Sequence, residues 1–155
     1  GSYDLDTSVG SYLDFYLDVS LGNEMAVGAF LTFLHTEAGL ADGPSAGLDM
    51  VGVGGRFKLR LQAGPRFEMR VALSAGYGSV IDGGEVNGES LAGVRGLALG
   101  GSTDAVYYVT DSIGVVVSLG IFGLIAGSRD LDAGGKLEAD ITPHLFLSGG
   151  IEFGV

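Results

Sequence analysis

Between Val51 and Tyr77 the chain alternates with a period of two. Odd positions carry Val51, Val53, Phe57, Leu59, Leu61, Phe67, Met69, Val71, Leu73 and Tyr77. Even positions carry Arg56, Lys58, Arg60, Gln62, Arg66, Glu68 and Arg70, spaced by Gly, Ser and Ala72. A helix repeats every 3.6 residues, so this spacing predicts strands with one apolar and one polar face. Ala63-Gly64-Pro65 interrupts the run and predicts a hairpin whose three-residue loop preserves the parity. In that register Arg60 stands directly across from Glu68, an opposite-charge pair at contact distance.

The same alternation recurs along the chain. It predicts strands over about Thr7–Leu21, Met25–Glu37, the two arms of the hairpin, Leu91–Val109, Ile113–Ala126, Leu131–Ile141 and Leu145–Val155. Met25–Glu37 is apolar on both faces, with Phe30 and Leu34 at even positions, and a buried helix is its alternative. Short turns are expected at Gly22–Glu24, Ala63–Pro65, Thr110–Ser112 and Thr142–His144, and longer connections at Glu37–Gly47, Ile81–Ser90 and Gly127–Asp130. The blurred alternation around Gly100-Gly101-Ser102 predicts a bulge. Eight strands joined mainly by short turns predict an all-β fold: one domain over residues 1–155, a closed antiparallel up-and-down barrel.

Composition narrows the class. With 29 Gly in 155 residues but no three-residue period, a collagen-like chain is excluded. At 46% hydrophobic residues, so is a disordered one. A net charge of −11 repels phosphates, so no nucleic-acid partner is expected. Cysteine is absent, which removes thiolate chemistry and disulfides.

The two faces decide the solvent. The even face is rich in Gly, a poor choice for a solvated β-surface but a good one where space is short. Its charges nearly balance: Asp14, Asp18, Glu68, Asp104, Asp132, Glu138, Asp140 and Glu152 against Arg56, Lys58, Arg60, Arg66, Arg70 and Lys136. Paired charges suit a narrow interior, where an unpaired one costs on the order of 3–5 kcal/mol. The odd face is then a continuous outer belt of Leu, Val, Ile, Phe and Met, which water does not favour and lipid does. The expectation is an apolar odd face turned outward to lipid and a charged, Gly-rich even face turned inward.

The turn-then-alternation texture of "YYVTDSIGVVVSLGIFG" and "ITPHLFLSGGIEFGV" resembles the small outer-membrane β-barrels of Gram-negative bacteria, the OmpA, OmpX and OmpW kind. The resemblance covers most of the chain. It implies a non-enzymatic, monomeric barrel of the outer membrane, with lipid as its solvent and loops that recognise an unidentified partner. The chain departs from that group in lacking Trp and in ending at Val155 where an aromatic residue is usual.

Candidate chemistry is sparse. His35 and Glu37 share the odd face, and a lipid-modifying enzyme using His35 is one alternative, but a polar residue at the membrane rim is the simpler reading. His144 reads as a solvated turn residue. Asp82, Glu85, Asn87 and Glu89 lie in an acidic loop without the spacing of a calcium hand. Gly52–Gly55 precedes no helix and so is no dinucleotide loop. No metal or cofactor is expected. The basic ladder from Arg56 to Arg70 would line an anion pore or form a salt-bridged plug, and eight strands favour the plug. Two further alternatives are a soluble lipocalin- or avidin-like barrel with the odd face around a small apolar ligand, and an engineered or permuted scaffold. The last follows from the predicted turns, which place both chain ends at the long-loop end.

Overall fold

The computed structural model of the chain describes residues 2–7, 11–39, 45–86, 88–131 and 135–153. Its strands are β1 (Ser2–Thr7), β2 (Ser11–Ser20), β3 (Met25–Gly39), β4 (Ser45–Ala63), β5 (Phe67–Gly83), β6 (Glu85–Val86), β7 (Glu89–Ser90), β8 (Arg95–Tyr108), β9 (Ile113–Asp130) and β10 (Lys136–Phe153). Among the described residues there is no helix, so the helical alternative for Met25–Glu37 falls. The main sheet has eight strands in the order β1-β10-β9-β8-β5-β4-β3-β2, and β6 and β7 form a separate small hairpin. Consecutive long strands are antiparallel neighbours, as short turns require.

The number eight is reached differently from the expectation. The residues assigned to the last two strands form the single strand β10. Thr142–His144 is no turn; the chain continues through it with register shifts between Ala139 and Ile141 and between Ile141 and His144. The first expected strand, about Thr7–Leu21, corresponds to β2, and an additional strand, β1, precedes it; both pair with β3. β1 also runs parallel to β10, with Ser2 opposite Glu138 and Leu5 opposite Ile141. Among the described residues no ladder joins β2 to β10, so the sheet carries an open seam there.

This changes the direction of the ends. Phe153 pairs with Ile113, beside the turn at 109–112, and Tyr108 N–H donates to Arg66 O beside the turn at 64–66. β10 therefore ends at the short-turn end, whereas Ser2 lies at the opposite end. The expectation that both ends meet at the long-loop end fails, and the argument for a permuted chain goes with it.

Other boundaries also moved. The expected loop at Gly127–Asp130 is strand, and β5 continues to Gly83 into what was expected to be loop. Residues 40–44 of the Glu37–Gly47 connection lie outside the described residues. The bulge is at Arg95/Leu97 opposite β9, while the register through Gly100–Ser102 is unbroken. β9 supplies the extra residue, and Ala126 there takes φ 52°, a left-handed value that side chains seldom adopt outside such kinks.

The parity of the sequence is carried into space. Among the described residues all thirty exposed large hydrophobic side chains carry odd numbers, from Leu13 to Phe153. Even-numbered side chains fill the enclosed side, which is divided along the strands. Towards the long-loop end lies an apolar core of Phe30, Leu34, Met50, Val80, Phe122 and Leu124. Leu91 and Val94 cap it from the connection before β8, where Val80 exchanges two backbone hydrogen bonds with Gly93 and Val94. Towards the short-turn end the filling is ionic. Glycine makes room for the core: a Cβ on Gly52 would lie 2.8 Å from Phe122 Cζ. The expectation of a uniformly charged and Gly-rich even face is corrected in that half.

Candidate functional site

The ionic half is built on β4 and β5, whose alternation aims Arg56, Lys58 and Arg70 into the enclosed space. Arg56 Nη2 donates to Asp104 Oδ2 at 3.0 Å, and its Nη1 lies 3.4 Å from Asp14 Oδ2. Ser102 Oγ donates to the other oxygen of Asp104 at 2.8 Å, and Thr32 Oγ1 donates to Asp14 Oδ1 at 2.8 Å. Lys58 Nζ lies 2.5 Å from Asp18 Oδ2. Tyr16 is placed beneath both cations, with Arg56 Cζ 4.3 Å and Lys58 Nζ 4.5 Å from its ring centroid. Its face carries negative quadrupole density, so this stacking adds attraction beyond area burial.

A second knot lies nearer the turns. Arg70 Nη1 donates to both oxygens of Glu152, at 2.8 and 2.7 Å, while Nε donates to Glu68 Oε2 at 2.7 Å. Its Nη2 donates to Tyr108 Oη, which in turn donates to Glu152 at 3.2 Å. Tyr16 Oη also donates to Glu152, at 3.3 Å, tying the two knots together. The planar guanidinium thus divides its donors among three partners, Nη1 on Glu152, Nε on Glu68 and Nη2 on Tyr108, which the single ammonium of Lys does not reproduce.

Nine of the expected network residues can be placed in these knots. Asp14, Asp18, Glu68, Asp104 and Glu152 give five negative charges; Arg56, Lys58, Arg60 and Arg70 give four positive ones, a balance of 4 − 5 = −1. Arg60 sits at the margin, its side chain 36% exposed, with Nη2 2.8 Å from Glu68 Oε1. The ladder does not set those two opposite: Arg60 faces Arg70, and a register shift follows between Arg60 and Gln62. Three expected members are misplaced. Arg66 is exposed in the turn, and Lys136 and Glu138 are exposed on β10, while Leu137 between them is buried. The shifts at 139–144 reverse the parity of that stretch. Asp132 and the side chain of Asp140 lie outside the described residues.

Sequence reasoning missed the neutral partners Tyr16, Thr32, Ser102 and Tyr108. All four occupy even positions, so the parity rule reached them, but attention to charge passed over them.

Two cavities flank the network. One, of about 270 Å³, lies among Tyr12, Asp14, Tyr16, Arg56, Ser118 and Phe146. The other, of about 380 Å³, opens between the turns at 64–66 and 109–112 and reaches Glu68 and Tyr108. The Arg70–Glu152 pair and Lys58 stand between them.

The remaining candidates resolve as follows. His35 Nδ1 lies 2.5 Å from Asp49 Oδ1, its cross-strand neighbour, and both are exposed. Its partner is thus Asp49 rather than Glu37. His144 lies within β10 and is half-buried, not in a turn. Gly52–Gly55 lies inside β4. Among the described residues no group of three or more His, Asp and Glu is arranged to hold a metal ion. No protein-family model matches the chain, and no curated protein matches its sequence.

Proposed function

We propose that this protein is an integral membrane β-barrel, closed in the bilayer, non-enzymatic and plugged by its own ionic network. The single observation that carries the reading is the outer surface, where, among the described residues, every exposed large hydrophobic side chain has an odd number. A monomer in water does not maintain an apolar belt around its whole girth. The belt also has the right height. From Val51 to Leu61 there are ten residue steps. At about 3.3 Å each that is about 33 Å along the strand, or about 23 Å at a tilt near 45°. The apolar band of outer-membrane barrels is about 25 Å tall.

A soluble barrel around an apolar ligand needs the odd face inside, and the enclosed side holds the even residues instead. Placement in a bacterial outer membrane, as a monomer whose longer connections meet a partner, follows from the resemblance in turn and strand texture. A conducting pore is disfavoured because the ionic knots span the lumen from β4 and β5 to β8 and β10.

The test is folding with and without lipid. In vesicles or detergent the chain is expected to give a β-type circular dichroism spectrum and a band whose gel mobility changes on boiling. A sharply folded, soluble monomer in plain buffer would sink the reading.

A further inference from the structure

The wall is interrupted only between β2 and β10 among the described strands. Their facing edges carry backbone N–H and C=O groups without a ladder. Side chains nevertheless bridge the gap. The Tyr12 and Phe146 rings stack with centroids 4.0 Å apart, and Tyr16 Oη reaches Glu152 at 3.3 Å. β1 pairs with both β10 and β3, and β2 follows it along β3, so β10 is the strand that the free edge of β2 faces.

The register is already visible. β1 pairs with β10 in parallel at a constant offset, Ser2 with Glu138, a difference of 138 − 2 = 136. Lower on the same two edges, Tyr16 and Glu152 differ by 152 − 16 = 136, and Tyr12 and Phe146 by 146 − 12 = 134, one same-face position away. We propose that in the bilayer β2 and β10 close as a parallel ladder in this register, and that this seam is a lateral gate to the cavity behind it. The proposal rests on the membrane reading above. Hydrocarbon supplies the drive, because it holds no water to satisfy exposed backbone N–H and C=O groups.

Three features make it the weakest part of the wall. Parallel pairing is slightly less stable per residue than antiparallel pairing. Gly149 and Gly150 leave the β10 edge without side chains to pack. The apolar residues beside the seam are also the most exposed of the belt: Leu17 76%, Leu145 75% and Leu147 75%.

The cavity of about 270 Å³ reaches through the wall here, since its lining includes outward Phe15 and Ile151 as well as inward Ser118 and Ser148. An open seam thus leads from the surrounding lipid to a hydroxyl-lined space. Arg56 is already held between Asp14 and Asp104, so the molecules that suit this space are small, uncharged and hydrogen-bonding.

The absence of cysteine makes the test direct. In vesicles, Phe15→Cys with Ile151→Cys, at the matched offset, is expected to form an intramolecular disulfide. Phe15→Cys with Leu147→Cys, four residues out of register, is expected to form none. Hydrogen exchange on the unmodified inserted chain should show β2 and β10 amides protected, but less than those of β4 and β5. N-ethylmaleimide, small and uncharged, is expected to alkylate Ser118→Cys at least tenfold more slowly once the seam is locked. Seam amides exchanging as fast as loop amides, or a disulfide only between two copies, overturns the ladder. Alkylation unchanged by locking overturns the gate. A chain showing no boiling-dependent mobility change has not inserted, and that result sinks the membrane reading itself.

Discussion

Arg60 Nη2 lies 2.8 Å from Glu68 Oε1, although the ladder sets Arg60 across from Arg70 and Glu68 across from Ala63. The extra residue in β4 between Arg60 and Gln62 carries the two diagonally towards each other. The contact is a consequence of the bulge, not of direct pairing.

That geometry ranks the ion pairs. Arg60 is 36% exposed, whereas Arg70 and Glu152 are 8% and 14% exposed and joined by two hydrogen bonds from Nη1. Double-mutant cycles with Gln should give about 0.2–1 kcal/mol for Arg60–Glu68, as for solvent-exposed pairs. Arg70–Glu152 should give about 1–3 kcal/mol. Equal couplings from unfolding titrations in detergent would show that burial does not govern the network.

Much of this was legible in the sequence. Period-two alternation gave the cores of strands β2 to β5, β8 and β9, and it assigned most of their side chains to a face. Nothing in the pattern marked Thr142-Pro143-His144 as a bulge, because Pro next to Thr and His has the chemistry of a turn. That one misreading merged two strands, reversed the chain's end and turned Lys136 and Glu138 outward. The apolar core was hidden for a different reason. Its parts, Phe30, Leu34, Leu48, Met50, Val80, Phe122 and Leu124, are even residues from four strands, and only the fold gathers them at one end.

Steric fit around Phe122 gives a second expected outcome. A Cβ at Gly52 would meet Phe122 Cζ at 2.8 Å, and one at Gly100 would meet Phe122 Cδ2 at 2.8 Å. The ring is thus seated in a slot of two glycines. Gly52→Ala should destabilise by about 1–3 kcal/mol through overpacking. Phe122→Leu, which shortens the offending side chain, should recover part of that loss in the double variant. Strict additivity of the two changes in a denaturant titration would mean that the ring and the glycine do not compete.

The solvent of the outer face predicts a sign. Leu73 is 61% exposed near the middle of β5, opposite Phe57 on one side and Gly101 on the other. On a water-facing surface Leu73→Arg would change stability by no more than about 0.5 kcal/mol. Facing the middle of a bilayer it should cost about 2–4 kcal/mol. Unfolding in phospholipid vesicles measures this directly, and a neutral result there would count against a lipid-facing Leu73.

The ionic plug predicts conductance. Arg70 and Glu152 stand between the cavity of about 270 Å³ and the one of about 380 Å³ at the turns. Removing one partner alone strands a buried charge and costs about 3–5 kcal/mol, which would confuse opening with unfolding. Removing both keeps the charge balance: the five carboxylates and four cations of the knots become four and three. Arg70→Ala with Glu152→Ala should therefore fold, and it should widen the constriction around Lys58 by the volume of two side chains. In planar bilayers the parent chain is expected to show no resolved current steps, and the double variant to show them. A parent that conducts as well as the variant would mean that the ionic knots do not seal the lumen.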